Sequence, residues 1–260
     1  MIVREFINNI LNKIAPFELA EEWDNPGLMA GNYNAKINKI AVTLDATPEA
    51  VIEAENFGCN ILLTHHPLIF RGIKRVEINS EPGKTIYEAI TRNITIIAVH
   101  TNWDKAEGGV NFTLAKLLGL KNISILDNAS GFGVKGVLPE KILLDELLKL
   151  VKYSWNLNYL DCYTPENFDN VKNISRVALC GGSGAEFWRV AKNSNSDVYI
   201  TADMKYHELI EATSSNLIII RPDHGEMESA SLIELVKKLS DNNLNAVLLN
   251  NHALKPPVRI

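Results

Sequence analysis

Two adjacent histidines, His65 and His66, are the residues whose types and spacing most directly suggest chemistry. They follow the apolar run Ile61–Leu63 and precede Pro67 in the stretch NILLTHHPLIF. A short apolar run that ends at a breaker predicts a buried strand, with the histidines at its carboxyl end. Neighbouring side chains on a strand point to opposite faces, so both can serve one site only where the strand ends. Imidazole is a common metal ligand, and we predict a metal site; loop histidines without a ligand are the alternative.

Other residues that can bind metals also follow predicted strands. The strand Ile94–Val99 leads into HTNWDKAEGGVN, and His224 and Glu228 are spaced to share one face of a later helix. The carboxyl ends of parallel strands meet at one edge of a sheet, where ligands bind. Five of the six histidines and four acids lie at such positions: His65, His66, His100, His207, His224, Asp45, Asp104, Asp203 and Glu228. The sixth histidine, His252, is expected at the surface.

This number of ligand-capable residues favours two metal ions over one. A single zinc ion needs three or four protein ligands, whereas five or more suggest two ions roughly 3.5–4 Å apart. Such a pair lowers the pKa of a bound water and polarises a substrate oxygen, which supports hydrolysis or ring opening. The sequence has no GxSxG and no Cys–His signature of a protein nucleophile. We therefore predict a metal-dependent hydrolase, with His207 and Asp203 as catalytic groups that shuttle protons.

Composition limits the classes of protein to consider. The chain has 260 residues, of which 46% are hydrophobic, and a net charge of −5, which suit a globular protein and argue against a general nucleic-acid binder. Three widely separated cysteines indicate a reducing compartment and no cysteine-based zinc module. No stretch resembles a signal peptide or a membrane span, so we expect a cytoplasmic location.

The sequence carries traces of an internal duplication. INKIAV at 37–42 resembles ISRVAL at 174–179, and at the same offset ILLTHH at 61–66 aligns with VYITAD at 198–203. Strands and helices alternate in both segments. We therefore predict an α/β fold of two similar lobes with mixed, mostly parallel sheets and the metal site between the lobes.

The predicted boundaries place the first lobe at 1–126 and the second at 174–260, with the two lobes forming one compact unit. Residues 127–173 are expected to be a connecting region, because glycines interrupt its beginning and its end is poorly periodic; a small αβ excursion within it is the alternative. It contains one amphipathic helix, Lys141–Tyr153. After Pro222, the stretch GEMESASLIELVKKL predicts a single helix with an acidic first turn.

Two turns have alternative interpretations. The glycine turn CGGSG at 180–184 can cradle a phosphate at a helix N-terminus, but it lacks the lysine of a P-loop, and a tight strand–helix turn is commoner. In EEWDNPGLMAG, Asp24 can support a metal ligand, although a carboxylate that caps the turn is commoner.

These motifs together resemble the Nif-three-like family, whose members are often labelled GTP cyclohydrolase I type 2 homologues. The resemblance rests on NILLTHHPLIF, HTNWDKAEGGVN, CGGSG, ITADMKYHE and DHGEMES, with EEWDNPGLMAG upstream, and covers nearly the whole chain. It implies two lobes that enclose a dinuclear metal site and six subunits that form a hollow toroid. The ligands it implies are His65, His66, Asp104, His224 and Glu228. It implies lining or supporting roles for His207, Asp203, His100 and Asp45.

The chain departs from the family pattern at two positions. Asp223 stands where a glycine usually precedes the late histidine, and Ala202 makes ITAD of the usual ITGD. These changes bear on metal preference, and the ligand types suit zinc, iron or manganese. The family label suggests cyclohydrolase action on GTP, or on another nucleotide or cyclic amide. The alternative is a non-catalytic metal-binding protein that assembles into rings or interacts with a protein partner.

Overall fold

The structure, a computed structural model, describes residues 1–169 and 173–249 and divides the chain into two units. Unit 1 comprises Met1–Gly109 together with the segment that begins at Leu232, and unit 2 comprises Val110–Ser231. His252 lies outside the described residues. Within the described ranges, no helix combines the length and the apolar character needed to cross a membrane.

Eleven strands are present in the described part of the chain. They are β1 (Gly27–Ala30), β2 (Ile40–Thr43), β3 (Ile61–Thr64), β4 (Thr95–Ala98), β5 (Lys121–Ile125), β6 (Val134–Ile142), β7 (Leu160–Tyr163), β8 (Ile174–Leu179), β9 (Val198–Ile200), β10 (Ile218–Pro222) and β11 (Ala246–Leu248).

The helices alternate with these strands. They are α1 (Val3–Phe6), α2 (Asn12–Ile14), α3 (Pro48–Asn56), α4 (Gly83–Thr91), α5 (Thr101–Lys105), α6 (Val110–Leu117), α7 (Leu144–Ser154), α8 (Trp188–Asn193), α9 (Tyr206–Ser214), α10 (His224–Ser229) and α11 (Leu232–Asp241). A π-helical segment, Ile7–Leu11, joins α1 to α2, and Phe17–Leu19 and Ala185–Phe187 form 3-10 turns.

The sheet of unit 1 has the strand order β1-β4-β3-β2-β11. Strands β4, β3, β2 and β11 run parallel, and β1 pairs antiparallel with β4. Every residue of β2, β3 and β4 is buried, as expected for parallel strands covered on both faces. The carboxyl ends of β3 and β4 therefore lie side by side, and the chain leaves them at His65 and Val99.

The connection from β2 to β3 shows how the local sequence specifies this layout. The Thr47 side chain accepts a hydrogen bond from the backbone N–H of Ala50, and Pro48 takes the first helical position of α3. Both features are strong signals for a helix start. Helix α3 buries Val51 and Ala54 in a cluster with Leu62 and Ile96 from the sheet. A fully buried Val, Leu or Ile side chain stabilises the fold by about 1.5–3 kcal/mol.

Unit 2 repeats the central arrangement of unit 1. Its sheet has the order β5-β6-β8-β9-β10-β7, in which β8, β9 and β10 run parallel and β7 pairs antiparallel with β10. Strands β8, β9 and β10 thus correspond to β2, β3 and β4, and β7 corresponds to β1. The prediction of an α/β fold with two similar lobes and mixed sheets is confirmed.

The structure divides the chain at other points than the sequence suggested. Residues 127–169, expected to belong to a connector, contain β6 and β7, which are strands of the second sheet. The predicted helix in this region is present as α7. Strand β6 includes Gly136, where an added Cβ would lie 2.9 Å from the carbonyl oxygen of Lys121. The glycine that suggested a break therefore permits close strand pairing.

The helix predicted after Pro222 is divided into α10 and α11. The chain turns at Ala230–Ser231, where the Ser231 hydroxyl donates to the carbonyl oxygen of Glu228. Helix α10 belongs to unit 2, whereas α11 leads to β11, which pairs with β2 in unit 1. The final described segment therefore completes the first sheet, whereas the sequence had suggested that it belongs to the second lobe.

Candidate metal centre

His65 and His66 leave the end of β3 together. The backbone N–H groups of both residues donate to the carbonyl oxygen of Leu44, at 3.1 and 3.0 Å, and the Thr64 hydroxyl donates to the carbonyl oxygen of His66 at 2.8 Å. These bonds fold the chain across the end of β2. The two imidazole centroids consequently lie 5.0 Å apart, on one side of the strand end.

The buried ring of His65 is oriented by the backbone. Its Nδ1 lies 3.0 Å from the carbonyl oxygen of Val99, which can only accept, so Nδ1 carries the proton and donates. The other nitrogen, Nε2, then bears the lone pair that a metal ion binds. It lies 3.6 Å from Oδ1 of Asp104, which α5 carries. His65 and Asp104 thus present one imidazole and one carboxylate to the same small volume.

His66 and His100 are oriented in the same way by carboxylates. Nδ1 of His66 lies 2.7 Å from Oδ1 of Asp45, and Nδ1 of His100 lies 2.7 Å from Oδ1 of Asp24. A carboxylate that accepts from Nδ1 fixes the tautomer with a lone pair on Nε2 and makes the ring a stronger ligand. His65, His66 and His100 each offer a ring nitrogen, and these nitrogens lie within 4.8 Å of one another.

Asp24 is the most specialised of these supporting carboxylates. Its side chain is fully buried and accepts from His100 and from both the backbone N–H and the hydroxyl of Thr101. Burial opposes ionisation, but these hydrogen bonds outweigh it and lower the pKa of Asp24 to about 2. Asp24 therefore supports His100 and does not act only as the turn cap that the sequence favoured.

Unit 2 contains a second set of donors at the start of α10. His224 Nδ1 lies 2.8 Å from Oδ2 of Asp203, and His224 Nε2 lies 3.1 Å from Oε2 of Glu228. Burial lowers the pKa of His224, but the hydrogen bonds to Asp203 and Glu228 outweigh it and raise the pKa to about 11. In the metal-free protein this imidazole is therefore a cation, and a metal ion must displace its Nε2 proton.

The glycine turn CGGSG makes room for this second set. Gly182 has a φ of +61°, and a Cβ built on it would lie 2.1 Å from Oε1 of Glu228 and 2.9 Å from Nε2 of His224. Only glycine fits there, both for its backbone conformation and for the space it leaves. The turn therefore positions a carboxylate and an imidazole, a function that neither sequence interpretation included.

A cleft of about 480 Å³ in unit 2 opens beside His224. Its lining includes Asp203, Lys205, Arg221 and Asp223. Asp223, which the sequence marked as an additional carboxylate, accepts from the backbone N–H of Glu226 and caps α10. Arg221 donates to Asp161 at 2.8 Å.

The two residues predicted as proton shuttles lie in different surroundings. Asp203 contacts His224 directly, as described above. His207 is exposed in the first turn of α9, where its ring packs edge to face against Tyr206 at 5.5 Å. The structure thus places one of the two against a donor and the other on an exposed helix surface.

Comparison with known proteins identifies the family. The family model described as Duf34/NIF3 (NGG1p interacting factor 3) matches residues 1–254. The chain belongs to the NIF3 family. A Lactococcus lactis protein named GTP cyclohydrolase 1 type 2 homolog is 36% identical over 82% of each chain, and a Clostridium perfringens protein of the same name is 34% identical over 90% of each. The resemblance inferred from the motifs is therefore confirmed.

Solved structures share the NIF3 fold along nearly their whole length. A Staphylococcus aureus hypothetical protein superposes with a TM-score of 0.88 at 27% identity, covering 100% of this chain and 99% of the other. Reduced HcgD from Methanocaldococcus jannaschii superposes with a TM-score of 0.81 at 27% identity, covering 96% and 98%.

The donors of this NIF3 chain suit a divalent metal ion. They are imidazole nitrogens and carboxylate oxygens, a combination that zinc, iron and manganese all accept. Each histidine of the two sets has Nδ1 committed to an oxygen, which directs Nε2 toward its neighbouring donors. The pairing of Asp24 with His100 could not be read from the sequence, because the partners are 76 residues apart and only the fold brings them together.

Proposed function

We propose that this chain holds two divalent metal ions through His65, His66, Asp104, His224 and Glu228 and acts as a hydrolase. The substrate is a nucleotide or a related cyclic amide. The grouping of the five ligands into one dinuclear centre rests on the resemblance between this sequence and the family motifs. The short distances between donor atoms within each unit support the ligands that the unit contributes.

The observation that carries the proposal is the shared orientation of the histidines. His65, His66 and His224 each place Nδ1 between 2.7 and 3.0 Å from an oxygen of Val99, Asp45 or Asp203. Histidines that serve only to fill space have no need of such a common arrangement. Metal-binding histidines almost always have it, because the second hydrogen bond fixes the tautomer and orients the ring.

The chain's own groups define how chemistry would proceed. Two divalent ions bound by these ligands would lower the pKa of water and polarise a substrate oxygen. Asp45 and Asp203 keep His66 and His224 oriented. His207, exposed to solvent, would carry protons to and from the substrate, a role in which histidine is the side chain most often used.

Names of relatives supply the substrate class. Two Helicobacter pylori proteins named GTP cyclohydrolase 1 type 2 are 30% and 29% identical to this chain, covering 100% and 96% of it. We therefore propose GTP as the first substrate to test. Ring opening of a purine requires water to attack a polarised carbon, which is consistent with metal-assisted hydrolysis.

The deciding experiment measures metal content and turnover on the same preparations. Protein purified without chelator is expected to hold close to two ions per chain. His65→Ala and Glu228→Ala, one variant from each unit, are each expected to lose metal. His207→Ala is the matched control, because it removes an exposed histidine that is not a proposed ligand, and it should keep its metal while losing turnover of GTP.

The outcomes separate catalysis from metal binding alone. Metal at the wild-type level in His65→Ala would disprove the proposed ligand set. Two ions without turnover of GTP, and no effect of His207→Ala on any assay, would favour the non-catalytic alternative. Asp203→Asn is less suitable for this purpose, because Asp203 hydrogen-bonds to His224 and its loss affects both properties.

A further inference from the structure

An exposed aromatic pair lies next to the donors of unit 1. Trp23 is 58% exposed and Phe70 is 44% exposed, and their ring centroids are 5.8 Å apart. Both rings also pack edge to face on the imidazole of His100, at 6.4 and 6.1 Å. The His100 ring in turn lies 5.3 Å from that of His65. His100 therefore connects an exposed aromatic surface to the proposed metal ligands.

The backbone holds both aromatic residues in place. Asp24, the neighbour of Trp23, is fixed by its bonds to His100 and Thr101. The next residue, Asn25, donates its side-chain N–H to the carbonyl oxygen of Ile69, which precedes Phe70, at 2.6 Å. The two chain segments are thus tied to each other and to the end of β4. A rigid aromatic surface loses little conformational entropy when a flat partner stacks on it.

Positive charge follows the aromatic pair along the chain. Arg71 comes directly after Phe70, Lys74 and Arg75 follow shortly afterwards, and all three are exposed. A ligand with a flat ring and a phosphate group would match both the aromatic surface and these cations. Proteins that bind single-stranded nucleic acids without sequence preference use the same combination of base stacking and positive charge.

We propose that Trp23 and Phe70 form a stacking surface for the purine-sized heteroaromatic ring of a phosphorylated substrate. Arg71, Lys74 and Arg75 attract the phosphate of the same molecule. This inference rests on the proposed function, because it supplies the ring-binding subsite for the substrate of the metal centre. The stacked ring lies beside His100 and within reach of the donors His65 and His66.

The tryptophans of the chain provide a direct measurement. Trp103, Trp155 and Trp188 are at most 5% exposed, so Trp23 is the one tryptophan of the four that a ligand can reach from solvent. Stacking of a purine on Trp23 is expected to quench its emission. Guanosine monophosphate is the probe, and ribose 5-phosphate is the control because it has the phosphate without the ring. Metal content is measured on each sample.

Variants locate the response. Trp23→Phe should abolish the change in emission while keeping an aromatic ring. Phe70→Ala should weaken binding of guanosine monophosphate by roughly five- to 150-fold, the range found when a stacking aromatic is truncated. Phe57→Ala is the matched control, since Phe57 is 46% exposed and precedes β3 at the opposite end of that strand from the histidines. It should bind like the wild type.

Three results would overturn the inference. One is emission that guanosine monophosphate leaves unchanged at millimolar concentration. Another is an equal response to ribose 5-phosphate. The third is a smaller particle size for Trp23→Ala than for the wild type in light scattering, which would make the surface a contact between copies of the chain. Full metal content together with unchanged Trp23 emission would reject the ring-binding subsite and leave the proposed function standing. Quenching of Trp23 emission in protein that holds no metal would support the stacking surface and reject the proposed metal-dependent function.

Discussion

Gly182 faces Glu228 so closely that a methyl group on its Cα would lie 2.1 Å from the carboxylate oxygen Oε1. Gly182→Ala should therefore push the Glu228 carboxylate away from His224. We expect metal affinity to fall by about tenfold or more, the range seen when the surroundings of a ligand are altered. Competition with a chromophoric chelator measures this change.

Gly119→Ala is the matched control for that substitution. Gly119 has a φ of +71°, close to the +61° of Gly182, but a Cβ added to Gly119 would meet no atom within 4 Å. Each alanine costs about 1–2 kcal/mol of stability through the left-handed backbone alone. If Gly119→Ala lost metal to the same extent, backbone strain and not displacement of Glu228 would be the cause.

Asp45 should tune the affinity of His66 for metal without binding the ion itself. Asp45→Asn keeps the size of the side chain but removes the negative charge that accepts from Nδ1 at 2.7 Å. We expect metal affinity to fall by roughly 10- to 100-fold. Asp241→Asn, at the last residue of α11, is the control and should bind metal normally. Unchanged affinity in Asp45→Asn would show that the carboxylate has no supporting role.

The raised pKa of His224 predicts how metal binding depends on pH. Because this pKa is about 11 in the metal-free protein, an ion must still displace a proton above pH 7.5, where ordinary histidines are already neutral. Apparent affinity should therefore rise by about tenfold per pH unit between pH 7.5 and 8.5. The slope should flatten in His224→Ala. A flat profile in the wild type would contradict the prediction.

The lowered pKa of Asp24 predicts how the stability of the fold depends on pH. Its pKa is about 2 in the folded protein against an ordinary 3.8, so ionised Asp24 contributes to stability above pH 3.8 and loses that contribution as pH falls toward 2. The shift corresponds to about 2 kcal/mol. Asp24→Asn should therefore be less stable than the wild type at pH 6, and the difference should shrink markedly at pH 3. Urea denaturation with chelator present measures it without a contribution from metal.

Thr101→Val tests the origin of that effect. The substitution removes the hydroxyl that donates to Asp24 and leaves the backbone N–H and His100 in place. Thr101→Val should therefore lose part of the pH-dependent stability that Asp24→Asn loses. A stability difference that is the same at pH 6 and pH 3 would mean that the hydrogen bonds do not act through the ionisation of Asp24.

The parts of the fold with strong local signals could be predicted from the sequence. The apolar run before His65 and His66 and the start of α3 at Thr47 and Pro48 specify their structure within a few residues, so the structure agrees with the prediction. The duplication was visible because equivalent buried strands need similar residues. The approach of His65 and His66 to one point also followed from the sequence, since Pro67 limits where the strand can continue.

The remaining features depend on contacts between distant segments. The local preference of glycine predicts a break in the strand at Gly136. Strand β6 nevertheless continues through it, because the backbone of Lys121 lies too close to leave room for a side chain. The stretch after His224 has a continuous helical pattern, but the chain turns at Ser231 and α11 packs with another sheet. Asp24 had an ordinary local explanation as a turn residue, and only its partner His100 reveals its role.

Strand β11 has a consequence for how the protein is made. It lies beside β2 in the first sheet, although Val110–Ser231 separates the two strands along the chain. On the ribosome, Val110–Ser231 is therefore synthesised while the edge of β2 that β11 later covers is still open. An open strand edge can pair with other chains. A nascent chain thus exposes this pairing edge until β11 has emerged.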